Sequence, residues 1–140
     1  IFAKKIFMPR PQKCRKVHRP PQMIGFMPYG IENNPLEHID IHYEEYEAIR
    51  LVNYEKLSQE EAAVRMEVSR PTLTRIYNSA LNKIAQALVE GKSLIIDGGN
   101  FVMPKEWYKC RKCYKLVEGI ENHTPCVGCC EYGENELIKL

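Results

Sequence analysis

From Tyr43 onward apolar residues recur at intervals of three and four, through Tyr43, Tyr46, Ile49 and Val52, which predicts a first helix ending near Tyr54. Ile39-Asp40-Ile41, just before it, alternates as a short strand does. Ser58 and Glu61 form a capping box, in which hydroxyl and carboxylate each satisfy a backbone N–H that a first helical turn leaves unpaired. A second helix should run from there to about Met66. Ser69 is another N-cap, and Arg70 and Pro71 follow in a first turn, where the missing N–H of proline costs nothing. The pattern then continues to Glu90, with Gly91 as the stop. At 1.5 Å per residue this third helix is roughly 30 Å long. Ser93 to Asp97, followed by Gly98-Gly99, reads as a strand and a turn, and the strand is a partner for Ile39 to Ile41.

The flanks have no helical period. Pro9, Pro11, Pro20, Pro21, Pro28 and Pro35 lock too many φ angles for a helix or a central strand and predict an extended arm. Met8 before Pro9 reads as a natural start, which would leave residues 1–7 as an upstream extension or a cloning remnant without an assigned role in the fold. Pro104 marks a linker into a cysteine-rich tail. The expected organisation is a basic proline-rich arm over 1–35, a helix-turn-helix domain with short strands over 36–99, and a metal-binding tail over 104–140. The expected class is mainly α. No stretch is apolar for long enough to span a membrane, and the start lacks a secretory signal, so a cytoplasmic protein is expected.

Net charge is only +2, but its distribution is uneven. Lys4, Lys5, Arg10, Lys13, Arg15, Lys16 and Arg19 stand in the first 19 residues without one acid, a run that seeks anions. Residues 20–63 carry nine acids against Arg50 and Lys56, and residues 64–92 are basic again. Glu44, Glu45 and Glu47, like Glu60 and Glu61, sit at helix starts, where the dipole accounts for them. No nucleophile motif or glycine-rich phosphate loop accompanies them, so an enzyme is not expected.

A helix pair that docks across a short turn needs apolar residues at set offsets, a small residue at the close approach, and a polar outer face. Ala62, Met66, Val68, Leu73 and Ile76 occupy the buried offsets, and Ala63 is the small residue. Glu67 stands where the turn usually has glycine, a position that often needs φ > 0. On a wheel of 100° per residue Pro71, Thr74, Arg75, Asn78 and Asn82 gather on one side of the third helix, opposite Leu73, Ile76, Ala80 and Ile84. Arginine pairs bidentately with guanine and asparagine with adenine, so Arg75 and Asn78 have base-reading chemistry. Ser69, Arg70, Pro71, Thr72 and Thr74 complete the DNA-facing set on the helix. Arg10, Lys13, Arg15 and Lys16 are the phosphate-seeking set on the arm. Tyr77, Leu81, Ala85 and Leu88 widen the apolar arc beyond what one docking partner needs, and this surplus suggests a homodimer face.

These stretches resemble a known family. Pro9 to Val17, Tyr43 to Asn53, Leu57 to Arg70, Pro71 to Leu81, Ala87 to Ser93 and Gly98-Gly99 are similar to the prokaryotic domain of unknown function family 134. Resemblance to those proteins implies a helix-turn-helix similar to region four of sigma factors, and transcriptional regulation.

In the tail, Cys110-x2-Cys113 and Cys126-x2-Cys129 are two paired-thiolate turns separated by twelve residues, the spacing of a four-cysteine tetrahedral site. Trp107 to Lys109 and Glu136 to Leu140 read as strands of a zinc ribbon, a unit too small to fold without a staple. One zinc per chain is expected. Rubredoxin-like iron, which has the same spacing, is the less favoured metal. Cys130 competes with Cys129, and His123 is a further candidate ligand, whereas isolated Cys14 reads as an ordinary thiol. The favoured function is a sequence-specific regulator bound to double-stranded DNA. A metal-linked redox protein or sensor, and an adaptor contacting RNA polymerase or another regulator, are the alternatives.

Overall fold

A computed structural model describes residues 14–32, 37–123 and 137–140. Strands β1 (Arg15–Lys16), β2 (Gly25–Phe26) and β3 (His38–Ile41) precede helix α1 (Tyr43–Ile49), which runs into a π-helical turn over Arg50–Tyr54. Helices α2 (Gln59–Met66) and α3 (Arg70–Glu90) follow, then β4 (Ser93–Ile96), β5 (Phe101–Val102), β6 (Trp107–Cys110), β7 (Leu116–Glu118) and β8 (Leu137–Lys139).

The expectation of a mainly α protein is therefore overturned, since three α-helices share the described chain with eight strands in three sheets. The physical reason is strand length. Three strands are two residues long, too short to show a period of two, and they exist because distant segments pair. β1 lies parallel to β5, joining Arg15 to Phe101. β2 is antiparallel to β4, whose other edge takes β3 in parallel, with Ile39 opposite Leu94 and Ile41 opposite Ile96. That last pairing is the one expected from the sequence. In the tail β6 is central, antiparallel to both β7 and β8.

The helices stand where their capping residues place them. Ser58 Oγ accepts from Glu61 N while Glu61 Oε2 accepts from Ser58 N at 2.8 Å, and Ser69 Oγ accepts from Thr72 N. Gly91, in the left-handed region at φ +64°, ends α3. Ala48, Leu51, Ala62, Ala63, Met66, Leu73 and Ile76 form the core between the helices.

Residues 14–32 are extended but not free. Val17 and Pro20 are fully buried, and His18 is a hub. Its N–H donates to Glu47 Oε1, its ring Nε2 lies 2.7 Å from the carbonyl of Arg65 at the end of α2, and its own carbonyl accepts from Trp107 Nε1.

Candidate nucleic-acid interface

The turn between α2 and α3 is three residues long. Glu67 takes the left-handed conformation at φ 53°, ψ 44°, the geometry its position demanded, at a cost of about 1–2 kcal/mol for a side chain with a Cβ. Val68 N then donates to Ala63 O, and Ser69 opens α3. Ala63, nearly solvent-free, keeps the two backbones close. Thr74 Oγ1 donates to Gln59 Oε1 at 2.7 Å, which locks the start of α2 against the first turns of α3.

The residues expected to face DNA divide into two kinds. Ser69 and Thr72 are engaged with each other in the cap of α3, and Thr74 bonds across to Gln59 of α2. Arg70 is exposed and ion-paired with Glu60 at 2.9 Å, and Pro71 is exposed beside it in the first turn. Arg75 and Asn78 are exposed, and neither has a hydrogen-bond or ion-pair partner among the described residues. Lys16, on β1, reaches the turn itself, its Nζ lying 2.9 Å from Glu67 Oε1, and Arg15 precedes it. Arg10 and Lys13 lie outside the described residues.

Three carboxylates that sequence reasoning assigned to the helix dipole have another role. Glu44, Glu45 and Glu47 are all buried. Glu47 receives Arg50 through two bonds, Nε at 2.8 Å and the terminal nitrogen at 2.7 Å, as well as the N–H of His18. Glu45 takes Ser79 Oγ at 2.6 Å and Lys83 Nζ at 2.8 Å from α3, and the N–H of His42. Burial pushes the Glu45 carboxyl up, but the bonds from Lys83, Ser79 and His42 outweigh it and hold it below the ordinary carboxylate range. Glu44 Oε1 accepts from Asn100 N, and a Cβ at Gly99 (φ +104°) would collide with the same carboxylate, which accounts for the second glycine of the Gly98-Gly99 turn. The short helix α1 thus clamps the N-terminal segment, α3 and the loop before β5. The signal for this was weak, since Lys83 and Ser79 lie far from Glu45 in sequence.

In the tail, Cys110 is buried at the end of β6 and Cys113 is exposed three residues later. Tyr114 N donates to Cys110 O at 3.0 Å, Cys110 N donates to Lys115 O, and Tyr114 has φ 58°. This is a tight reversal that brings two thiols to one turn, the arrangement half of a four-thiolate site needs. Cys126, Cys129 and Cys130 lie outside the described residues. His123 Nε2 is buried and has no hydrogen-bond partner among the described residues.

The family model for the protein of unknown function DUF134 matches residues 6–104. A UPF0251 protein of Halothermothrix orenii is 45% identical over 111 residues, 79% of this chain and 82% of its own. A UPF0251 protein of a Thermoanaerobacter species is 48% identical over 99 residues, 71% of this chain and 88% of its own, and one of Chloroherpeton thalassium is 40% identical over 124, 87% of this chain and 82% of its own. No solved structure matches. Among the described residues no helix is long and apolar enough to cross a membrane.

Proposed function

For a chain that belongs to the DUF134 family of proteins of unknown function, we propose the role of a sequence-specific DNA-binding protein, a transcriptional regulator that reads duplex DNA with α3. The observation that carries this reading is the state of Arg75 and Asn78. Both side chains are solvent-facing and unclaimed among the described residues, on a helix braced from behind by α2, so their donors and acceptors are available to a ligand. They suit guanine and adenine edges in a major groove. Lys16, beside the turn, and Arg15, which precedes it on β1, suit the flanking phosphates. Cys110 and Cys113, together with Cys126 and Cys129 by their spacing in the sequence, would hold one zinc, whose contribution would be structural cross-linking rather than chemistry.

The test starts from fragments of genomic DNA selected on the purified full chain, followed by anisotropy titrations of the selected site and of a random duplex at one stated salt concentration. Arg75→Ala should cost about 1–3 kcal/mol on the selected site and far less on random DNA. Lys16→Ala should weaken both alike and lower the salt slope by about 1. Equal affinity of the unmodified protein for every duplex would overturn the sequence-specific reading.

A further inference from the structure

The second half of α3 presents apolar side chains to water. Leu81 is 38% exposed and Leu88 77%, with Ala85 exposed between them, so neither β4 nor the described part of the N-terminal segment covers the stripe. From Leu81 to Val89 the helix has a single charge, Lys83, and that ammonium is spent on buried Glu45. A surplus of one charge sign along the stripe would meet the same surplus on an identical copy, and this stripe carries no such surplus.

The spacing is also self-complementary. Leu81 and Leu88 lie two turns apart, on either side of Ala85. In an antiparallel copy Leu88 of one helix falls on Leu81 of the other, twice, and the small Ala85 near the centre lets the two backbones approach.

We infer that this protein forms a twofold dimer in which two α3 helices pack antiparallel along Leu81, Ala85 and Leu88. The pairing rests on exposure, neutrality and symmetry; its use rests on the DNA reading proposed above. At 100° per residue, the direction shared by Arg75, Asn78 and Asn82 lies roughly 80–90° around the helix from the direction of the stripe. Both reading faces of such a pair therefore look the same way along the dyad. At 1.5 Å per residue, Arg75 lies about 15 Å from the centre of the pairing, so the two arginines stand about 30 Å apart along the axis. One turn of duplex is about 34 Å, the spacing that dimeric helix-turn-helix proteins bridge. The ligand of the dimer is accordingly a pseudo-palindromic duplex with half-sites one turn apart.

The decisive measurement is sedimentation equilibrium of the full chain without DNA from roughly 1 to 100 µM, where an interface smaller than the ~800 Å² per partner of a stable dimer should associate. A concentration-dependent dimer is expected. Leu81→Glu and Leu88→Lys, each alone, should weaken it about tenfold or more. The double variant should restore it, because antiparallel pairing sets the introduced carboxylate of each copy against the introduced ammonium of the other, at both ends of the interface. Both positions are solvent-facing, and unchanged helical circular dichroism checks the fold. A monomer throughout, a dimer indifferent to Leu88→Lys, or a double variant as weak as the single ones would each overturn the proposal. Because no DNA is present, the result stands apart from the DNA reading. A dimer that binds every duplex equally would remove the proposed reader and leave the pairing intact.

Discussion

In the helical unit seven buried residues from α1, its π-helical end, α2 and α3 share one core. The three strands of the tail bury Trp107, Tyr108, Cys110 and Val117. The first region also internalises charge, with Glu45 and Glu47 each meeting a cation and at least one further donor. The second keeps its carboxylate pairs outside, where Lys139–Glu106 and Lys105–Glu118 are solvated and add little. The contrast shows two routes to a fixed geometry. A unit with enough apolar residues can bury ion pairs and use them to orient helices, whereas one without them leans on its neighbour, here through Trp107 Nε1 on the carbonyl of His18 and Lys109 Nζ on that of Gln22, and on the zinc proposed above.

The largest test of this contrast is metal removal. Chelation of the proposed zinc should unfold the tail while the helices persist. The chain has one tryptophan, and it is in the tail, so Trp107 fluorescence should shift to the red with the helical circular dichroism nearly unchanged. Loss of both signals together would mean that the two regions are one cooperative unit. Next in size is Glu47→Ala, which leaves Arg50 and the His18 N–H with a lost partner at a fully buried site and should cost about 3–5 kcal/mol in urea unfolding.

Acid should act on the same region more gently. The Glu45 carboxyl is held below its ordinary value, so its contribution is complete above the unfolded-state pKa and is lost as pH falls through the lower folded-state value. Stability of the helical unit should decline below about pH 4.5, and Glu45→Gln should flatten that decline in a series of urea titrations. The smallest expected change is a gain. Glu67→Gly relieves the left-handed strain and should raise stability by roughly 1 kcal/mol, less whatever the exposed Lys16 pair supplies, read as a higher urea midpoint at constant slope.

What could be read from sequence follows the range of the interactions. The capping serines, Pro71 and Gly91 act within one turn of themselves, so the starts of α2 and α3 and the end of α3 were readable, and the end of α2 approximately so. The pairing of Ile39–Ile41 with Leu94–Ile96 was also readable, since both runs carry their own strand pattern. The two-residue strands carry none, and the burial of Glu44, Glu45 and Glu47 depends on partners from His18 to Asn100 that no local pattern announces. At the candidate interface the exposure of Arg75 and Asn78 followed from helical periodicity. The engagement of Lys16 with the turn did not, because β1 is held there by β5.

The bond between His18 and Trp107 spans 89 positions, and that has a consequence for how the protein is made. At a synthesis rate of about 5–20 residues per second, the segment around His18 waits roughly 4 to 18 s after it is made before Trp107 is even polymerised. Helix formation takes about a microsecond, so α1, α2 and α3 can assemble on the ribosome while this segment, with its apolar Val17, still lacks the strands it will pair with. A segment made before the helices is then among the last to settle, and during that interval it is open to proteases and chaperones.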